Sequence, residues 1–307
     1  MPQPRTVALL GATGFIGRRV AQMLSSAGYS VIAPIRATST RHDDLPQQME
    51  TVRCSLQAND PLLRDALGRA DAVIYAAGTV RGASLDDFLP ANVDGVQAVA
   101  KILVRRSAPT PPLLLISSLA ASQPQLSDYA RSKRDGEEIL EDYPQIAATI
   151  FRPPAVYGPG DQEMQPLFDA MRRGIAVQVG PPGQRLSLLH ADDLAQAILA
   201  WLVADSSVGH GCLELHDGRE NGYLLKEIAT ISNPQARILP VPQTILHGIA
   251  WVNIHLARLT GRAPMLSLGK ARELRHPRWV CDNAAIARAL DWTPKIPLSK
   301  GLADLYQ

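Results

Sequence analysis

The chain holds no run of about 18 uncharged apolar residues, the length a membrane-spanning helix needs, so no span is expected. The nearest approach, residues 245–259, is broken by His247, Asn253, His255 and Arg258, and reads as an amphipathic helix packed on the body or over a pocket. Cysteine is scarce. Cys54, Cys212 and Cys281 are odd in number, far apart and without metal-ligand spacing. That pattern excludes a disulfide framework, points to no metal, and fits reduced thiols in a cytoplasm. Charge of one sign is absent too: 31 basic against 29 acidic residues leave +2, so no basic field argues for nucleic acid. Met1–Arg5 has two prolines and runs straight into an apolar segment, which is no secretory leader pattern. There is no internal repeat and no low-complexity tract. The composition, 46% hydrophobic and 20% charged over 307 residues, is that of a soluble globular protein of one large α/β domain or two unequal ones.

The most informative stretch is TVALLGATGFIG at 6–17. Its apolar opening suits a strand buried on both faces. Gly11, Gly14 and Gly17 follow at three-residue spacing, and Ile16, Val20, Met23 and Leu24 then share one face of a helix that Gly28 can stop. Strand, glycine turn and helix place a pyrophosphate at a helix N-terminus, where free N–H groups and the helix dipole face the anion. Thr13, Phe15 and Ile16 belong to the same turn and complete the expected cradle. The second strand, 30–36, closes the first βαβ unit in about 30 residues, as a dinucleotide-binding half requires. At its end an acidic residue would bind the ribose of NAD. Arg36 stands there, with Arg41 behind it, and a guanidinium suits the 2′-phosphate of NADP.

Residues 51–56 read as a short strand, 60–69 as a helix, and 70–78 (ADAVIYAAG) as a buried strand. It ends in Ala76, Ala77 and Gly78, small enough for a dinucleotide to lie close to the backbone. A helix over 92–105 and a strand over 113–117 follow. Alternating β and α segments imply a doubly wound parallel sheet of the Rossmann type, with ligands at the C-terminal ends of its strands.

The last of these strands runs into Ser117-Ser118. Eleven residues past Ser118 comes Tyr129, with Lys133 one helical turn further and on the same face. A free phenol ionises near pH 10, too high for easy proton exchange at neutrality. A nearby ammonium favours the phenolate. A strand-end serine can hydrogen-bond the same substrate oxygen. Together the three can hold a carbonyl, or the hydroxyl it becomes, beside a nicotinamide.

At this point the sequence resembles the short-chain dehydrogenase/reductases, in particular the extended branch known as the NAD-dependent epimerase/dehydratase family. The matching stretches are Gly11-Ala12-Thr13-Gly14-Phe15-Ile16-Gly17, Ala76-Ala77-Gly78, Asn92, Ser118, Tyr129 with Lys133, and Arg152-Pro153-Pro154-Ala155-Val156-Tyr157-Gly158-Pro159-Gly160. Further on come the run from Leu189 to Ala195 and Leu290-Asp291-Trp292-Thr293-Pro294. The resemblance implies that Tyr129 is the general acid/base. Lys133 would lower its pKa and bind the nicotinamide ribose, and Ser118 would polarise the substrate oxygen. Asn92 would hold the active-site helix or a proton-relay water, and Pro153 and Val156 would touch the nicotinamide. In the third strand, where relatives often place an acidic residue for adenine, the run is Cys54-Ser55-Leu56, so Ser55 and Leu56 would meet that ring. An arginine usual in nucleotide-sugar members is replaced by Leu186, and Arg185 is one residue off, on the opposite strand face. These departures weaken a nucleotide-sugar reading. The stretch 264–282 is more similar to hydroxysteroid-dehydrogenase-like and dihydroflavonol-reductase-like members.

The expected organisation is a Rossmann domain over 1–166, to which 186–204 returns, and a smaller α/β substrate-binding region over 167–185 and 205–307. Within it 167–173, 193–203 and 224–230 read as helices and 177–179, 185–189 and 211–215 as strands. Residues 240–259 with Met265, Leu266, Leu268 and Leu274 are apolar enough for core or for a pocket. Arg272, Arg275, His276 and Arg278 form a basic run that suits either an acidic substrate group or a solvated face. The expected function is an oxidoreductase that uses NADP in preference to NAD and moves hydride between nicotinamide and a secondary alcohol or ketone of a mostly apolar small molecule. The rivals are a nucleotide-sugar epimerase or dehydratase and a non-catalytic cofactor-sensing or assembly protein. Beyond the small-molecule substrate, the only partner envisaged is a second copy of the chain, as a homodimer.

Overall fold

The computed structural model describes residues 6–39, 44–204, 211–246, 248–249, 252–253, 264 and 266–306. Arg41, Met265 and much of 245–259, on which expectations were placed above, lie outside the described residues.

The glycine turn joins strand β1 (Thr6–Leu10) to helix α1 (Phe15–Ser26), and β2 (Ser30–Ile35) closes the first unit. Next come β3 (Glu50–Arg53), α2 (Pro61–Gly68) and β4 (Ala72–Tyr75). After them follow α3 (Gly95–Leu103), β5 (Leu113–Ile116), α4 (Asp128–Glu138) and β6 (Ala148–Arg152). The sheet order is β3-β2-β1-β4-β5-β6, every pair parallel, with one further strand beside β6. This is the doubly wound Rossmann arrangement that the alternating pattern implies. Successive side chains of β1 leave on opposite faces. Val7 and Leu9 join one core with α1, and Ala8 and Leu10 join the other with α2 and α3.

The further strand, β11 (Gly211–Glu214), pairs in parallel with β6 through Cys212 opposite Ile150. It therefore extends the large sheet, although the sequence reading puts it in the substrate-binding region. The expected helix over 92–105 also starts differently. Pro90–Asp94 forms one wide π-helical turn before α3. The Tyr75 hydroxyl donates to the Ala91 carbonyl at 2.6 Å and so supplies a partner from β4 to a carbonyl of that turn.

Beyond β6 the chain forms β7 (Ala155–Tyr157), α5 (Gln165–Arg172) and β8 (Ile175–Gln178). The single strand expected over 185–189 is two, β9 (Arg185–Leu186) and β10 (Leu188–His190). Between them the Ser187 N–H donates to the Trp279 carbonyl at 2.7 Å, and β10 turns away to pair with β7. Helix α6 (Ala191–Val203) then packs on α1, where Arg19 makes a bidentate pair with Asp192 at 2.7 and 2.6 Å. β12 (Tyr223–Leu224), α7 (Leu225–Ser232) and β13 (Arg237–Pro240) follow. α5, α7 and the C-terminal helix Leu298–Asp304 enclose a third, smaller core around Tyr157, Phe168 and Met171. The Asp193 carboxylate, 1% exposed, accepts from the Lys295 and Ile296 N–H groups at 3.0 and 2.9 Å and ties the chain's end to α6.

Candidate active site

Gly11 has φ +86°, a backbone few residues other than glycine adopt, and a Cβ on it would overlap the Ala77 backbone. The end of β1 and the stretch after β4 thus meet backbone to backbone, and the Ala76 N–H donates to the Leu10 carbonyl at 2.9 Å. A Cβ on Gly17 would overlap the Gly11 carbonyl oxygen. Gly14 is the N-cap of α1, with no side chain bonded to the first-turn amides and no acidic residue in that turn. Its own N–H donates to Gly11 O at 3.0 Å. Thr13, Phe15 and Ile16 are half-buried around this opening. The cradle is open at a helix N-terminus and its walls are glycine, which fits a dinucleotide pyrophosphate.

Arg36 is exposed immediately after β2, and its side chain has no hydrogen-bond or ion-pair partner among the described residues. Ser55 donates its hydroxyl and its N–H to Asp60 Oδ2 at 2.9 and 2.8 Å, and Asp60 in turn caps α2. The exposed Ser55 hydroxyl thereby commits its proton to Asp60. Leu56 lies half-buried against the second core.

Ser118, at the end of β5, caps a short 3-10 turn by accepting from the Ala120 N–H at 3.2 Å. The same hydroxyl bears on the phenol of Tyr129, in the first turn of α4, and favours its ionised form. Ser117 points elsewhere: its hydroxyl donates to the buried Glu137, which is also paired with Arg152. Lys133 is 8% exposed, and its Nζ donates to the Ile116 carbonyl at 3.1 Å. The same Nζ would lie 3.1 Å from a Cβ on Gly78, so the ammonium stands at the mouth of β4. Burial lowers its pKa to about 8, against an opposing pull from Glu137.

Asn92 is 3% exposed in the π-helical turn. Its Oδ1 accepts from the Thr79 N–H (2.9 Å), and its Nδ2 donates to the Thr79 carbonyl (3.1 Å) and to Ser132 Oγ (2.8 Å). One side chain thus fastens the segment after β4 to the helix that carries Tyr129. Gly136 assists, since a Cβ there would overlap the Asn92 carbonyl. Pro153 is buried, with its carbonyl accepting from the Leu119 N–H at 2.8 Å. Val156 is half-buried in β7, against the first core.

The phenol of Tyr129 differs from the expectation of a lowered pKa. Burial raises it, opposed by the Ser118 hydroxyl and by Lys270, while Glu273 and Glu163 add to the rise. Two of these groups, Lys270 and Glu273, carry no motif signal in the sequence. They belong to the helix Leu268–Arg275, whose Lys270 Nζ sits 5.9 Å from the centroid of the Tyr129 ring. Their three-residue spacing shows a shared helix face, but nothing local says which element that face meets. The basic residues singled out around them have other duties. Arg272 donates to the Leu126 carbonyl (2.7 Å), Arg275 donates to the Val179 carbonyl (2.9 Å), and His276 packs on Trp279. Arg185 reaches toward the Asn221 carbonyl, and among the described residues no metal-binding cluster of His, Cys, Asp or Glu occurs.

A Rossmann sheet with a glycine cradle and a serine–tyrosine–lysine group at its strand ends defines a nicotinamide-dependent enzyme of the short-chain type. The NAD dependent epimerase/dehydratase family matches residues 7–212, and the chain belongs to it. Along 97% of its length the chain is 33% identical to a ceramide reductase of Caulobacter vibrioides, covering 91% of that protein. Over 209 residues, 66% of the chain, it is 28% identical to NADH dehydrogenase [ubiquinone] 1 alpha subcomplex subunit 9 of Dictyostelium discoideum, covering 56% of it. Among solved structures it shares the fold of UDP-glucuronic acid 4-epimerase from Bacillus cereus in complex with UDP-glucuronic acid and NAD. That match has TM-score 0.73 at 18% identity and covers 98% of each chain. The chain is an NAD(P)-dependent oxidoreductase of the extended short-chain type.

Proposed function

We propose that the chain is an NADP-preferring reductase that acts on the ketone of a mostly apolar small molecule, with Tyr129 as general acid. The observation that carries this reading is the placing of Ser118, Tyr129 and the buried Lys133 at the same strand ends as the glycine cradle. The nicotinamide, when bound, supplies the hydride to the carbonyl carbon. Ser118 holds the carbonyl oxygen, and Tyr129 gives that oxygen its proton and becomes a phenolate. Burial pushes that phenol up, the direction that suits a proton donor. Lys133 binds the nicotinamide ribose, and Asn92 holds the helix. Arg36 meets the 2′-phosphate, which underlies the preference for NADP.

Residues 167–185 and 205–307, less β11, are assigned to the substrate. The likeness to a ceramide reductase favours a long-chain lipid ketone. In the helical segment after β13, Ile245, Ile249 and Val252 expose apolar side chains at helical spacing, which suits such a ligand. Leu186 in place of a cationic pyrophosphate ligand speaks against a sugar nucleotide. The decisive assay follows NADPH absorbance with a ceramide-type ketone: net consumption supports a reductase, and a self-recycling epimerase gives none. Tyr129→Phe lowers kcat/KM about 10²- to 10⁴-fold while NADPH titration is unchanged. A subunit role without catalysis is the second reading, favoured by the likeness to the NADH dehydrogenase subunit. It prevails if Tyr129→Phe leaves the cellular function intact.

A further inference from the structure

The helix Leu268–Arg275 belongs to the proposed substrate-binding region, yet it is fastened to the start of α4. Gly269 packs so closely on Ser127 that a Cβ would come within 2.8 Å of the Ser127 Cβ. Ser127, the N-cap of α4, takes the Ala130 N–H at 2.9 Å and gives its own proton to the buried Glu273 carboxylate. Arg272 donates to the Leu126 carbonyl one residue earlier. On the outer side of this junction, Lys270 pairs with Glu273 at 3.0 Å and faces the Tyr129 ring. Lys133, the partner expected from the four-residue spacing, instead spends its Nζ on the Ile116 carbonyl.

We propose that Lys270 is a positioning residue of the active site, carried to the Tyr129 ring by the helix Leu268–Arg275 and held there by Glu273, where its charge favours the phenolate. The proposal rests on Tyr129 being the acid/base group. The groups bearing on that phenol are Ser118 from the end of β5, Lys270 and Glu273 from the docked helix, and Glu163, paired with Arg81 at 2.8 Å. Phe88 packs against the ring at 6.0 Å between centroids and brings no charge. With Glu273 and Glu163 both opposing the phenolate, Lys270 is the cation that offsets them. Proton transfer then depends on docking of the C-terminal region, a coupling that no residue of α4 supplies alone.

The test places difluorotyrosine at position 129 alone, so that its phenolate is read by absorbance in the neutral range, in the full chain saturated with NADP⁺. Lys270→Met raises the midpoint by about one pH unit or more, as expected for loss of a cation 5.9 Å from the ring centroid. Lys270→Arg keeps the parent midpoint, because it restores the charge. Lys270 is partly exposed, so both variants should fold, and a thermal melt checks it. Coincident midpoints for the parent and Lys270→Met overturn the proposal, as does an equal rise in Lys270→Arg, which would indicate a packing effect. Failure of the functional reading is separate: there Tyr129→Phe retains NADPH consumption, whatever the midpoints do.

Discussion

Arg36 and Lys133 are the residues whose charge the surroundings make consequential. Arg36 is exposed and unpaired among the described residues, so its guanidinium is available to a phosphate at no cost in broken contacts. Arg36→Ala should weaken NADPH about 10-fold or more, the worth of a charge-assisted hydrogen bond, and leave NADH nearly unaffected. Fluorescence titration with each nucleotide checks this, and equal losses would contradict the preference. Lys133 is an ammonium held in a buried place. Its pKa of about 8 lies below the ordinary 10.5, so between these values the unfolded chain binds more protons than the folded one. The penalty is full below pH 8 and fades as pH rises toward 10.5. Lys133→Met should therefore be the more stable protein at pH 7, by on the order of 2–3 kcal/mol, with the advantage shrinking toward pH 10. Urea midpoints at the two pH values measure it. Such stability sacrificed at a site is expected where function needs the charge.

Among the elements, the turn between β1 and α1 has the least room. Gly11 turns with positive φ against Ala76 and Ala77, and Gly17 brings α1 onto the Gly11 carbonyl. Both approaches are backbone on backbone, so no flexible side chain can yield. Gly17→Ala should cost about 3 kcal/mol or more and push α1 off the cradle. A lower urea midpoint together with at least tenfold weaker NADPH binding is the expected outcome. The π-helical turn at Pro90–Asp94 is the other unusual element. It sets Asn92 inward, between Thr79 and Ser132, and so registers α4 against the mouth of β4.

At the scale of the whole molecule, two parts share their boundary through a few buried polar contacts. The Asp193 carboxylate holds the segment before the last helix, and Ser127 with Glu273 joins the other side next to Tyr129. Asp193→Ala leaves two backbone N–H groups without their acceptor, a loss of about 3 kcal/mol. Thermal unfolding of that variant should begin earlier, and hydrogen exchange should show the Leu298–Asp304 helix opening first. No helix among the described residues is long and apolar enough to cross a membrane.

The sequence by itself determined the elements of the Rossmann half and the residues they present at its strand ends. Continuous apolar runs mark strands covered on both faces, and the spacing of Gly11, Gly14 and Gly17 marks a turn only glycine can make. The four-residue spacing puts Tyr129 and Lys133 on one helical face. All of these are local, written within a few residues of one another. Tertiary structure decided which faces meet. It set β11 beside β6, broke 185–189 at Ser187 to serve two sheets, gave Ser117 to Glu137, and brought Lys270 to a tyrosine far back in the chain. A helix's periodicity records that it has an inner face but not what that face touches, because the partner is fixed by chain reversals distant in sequence and by the packing of both cores at once.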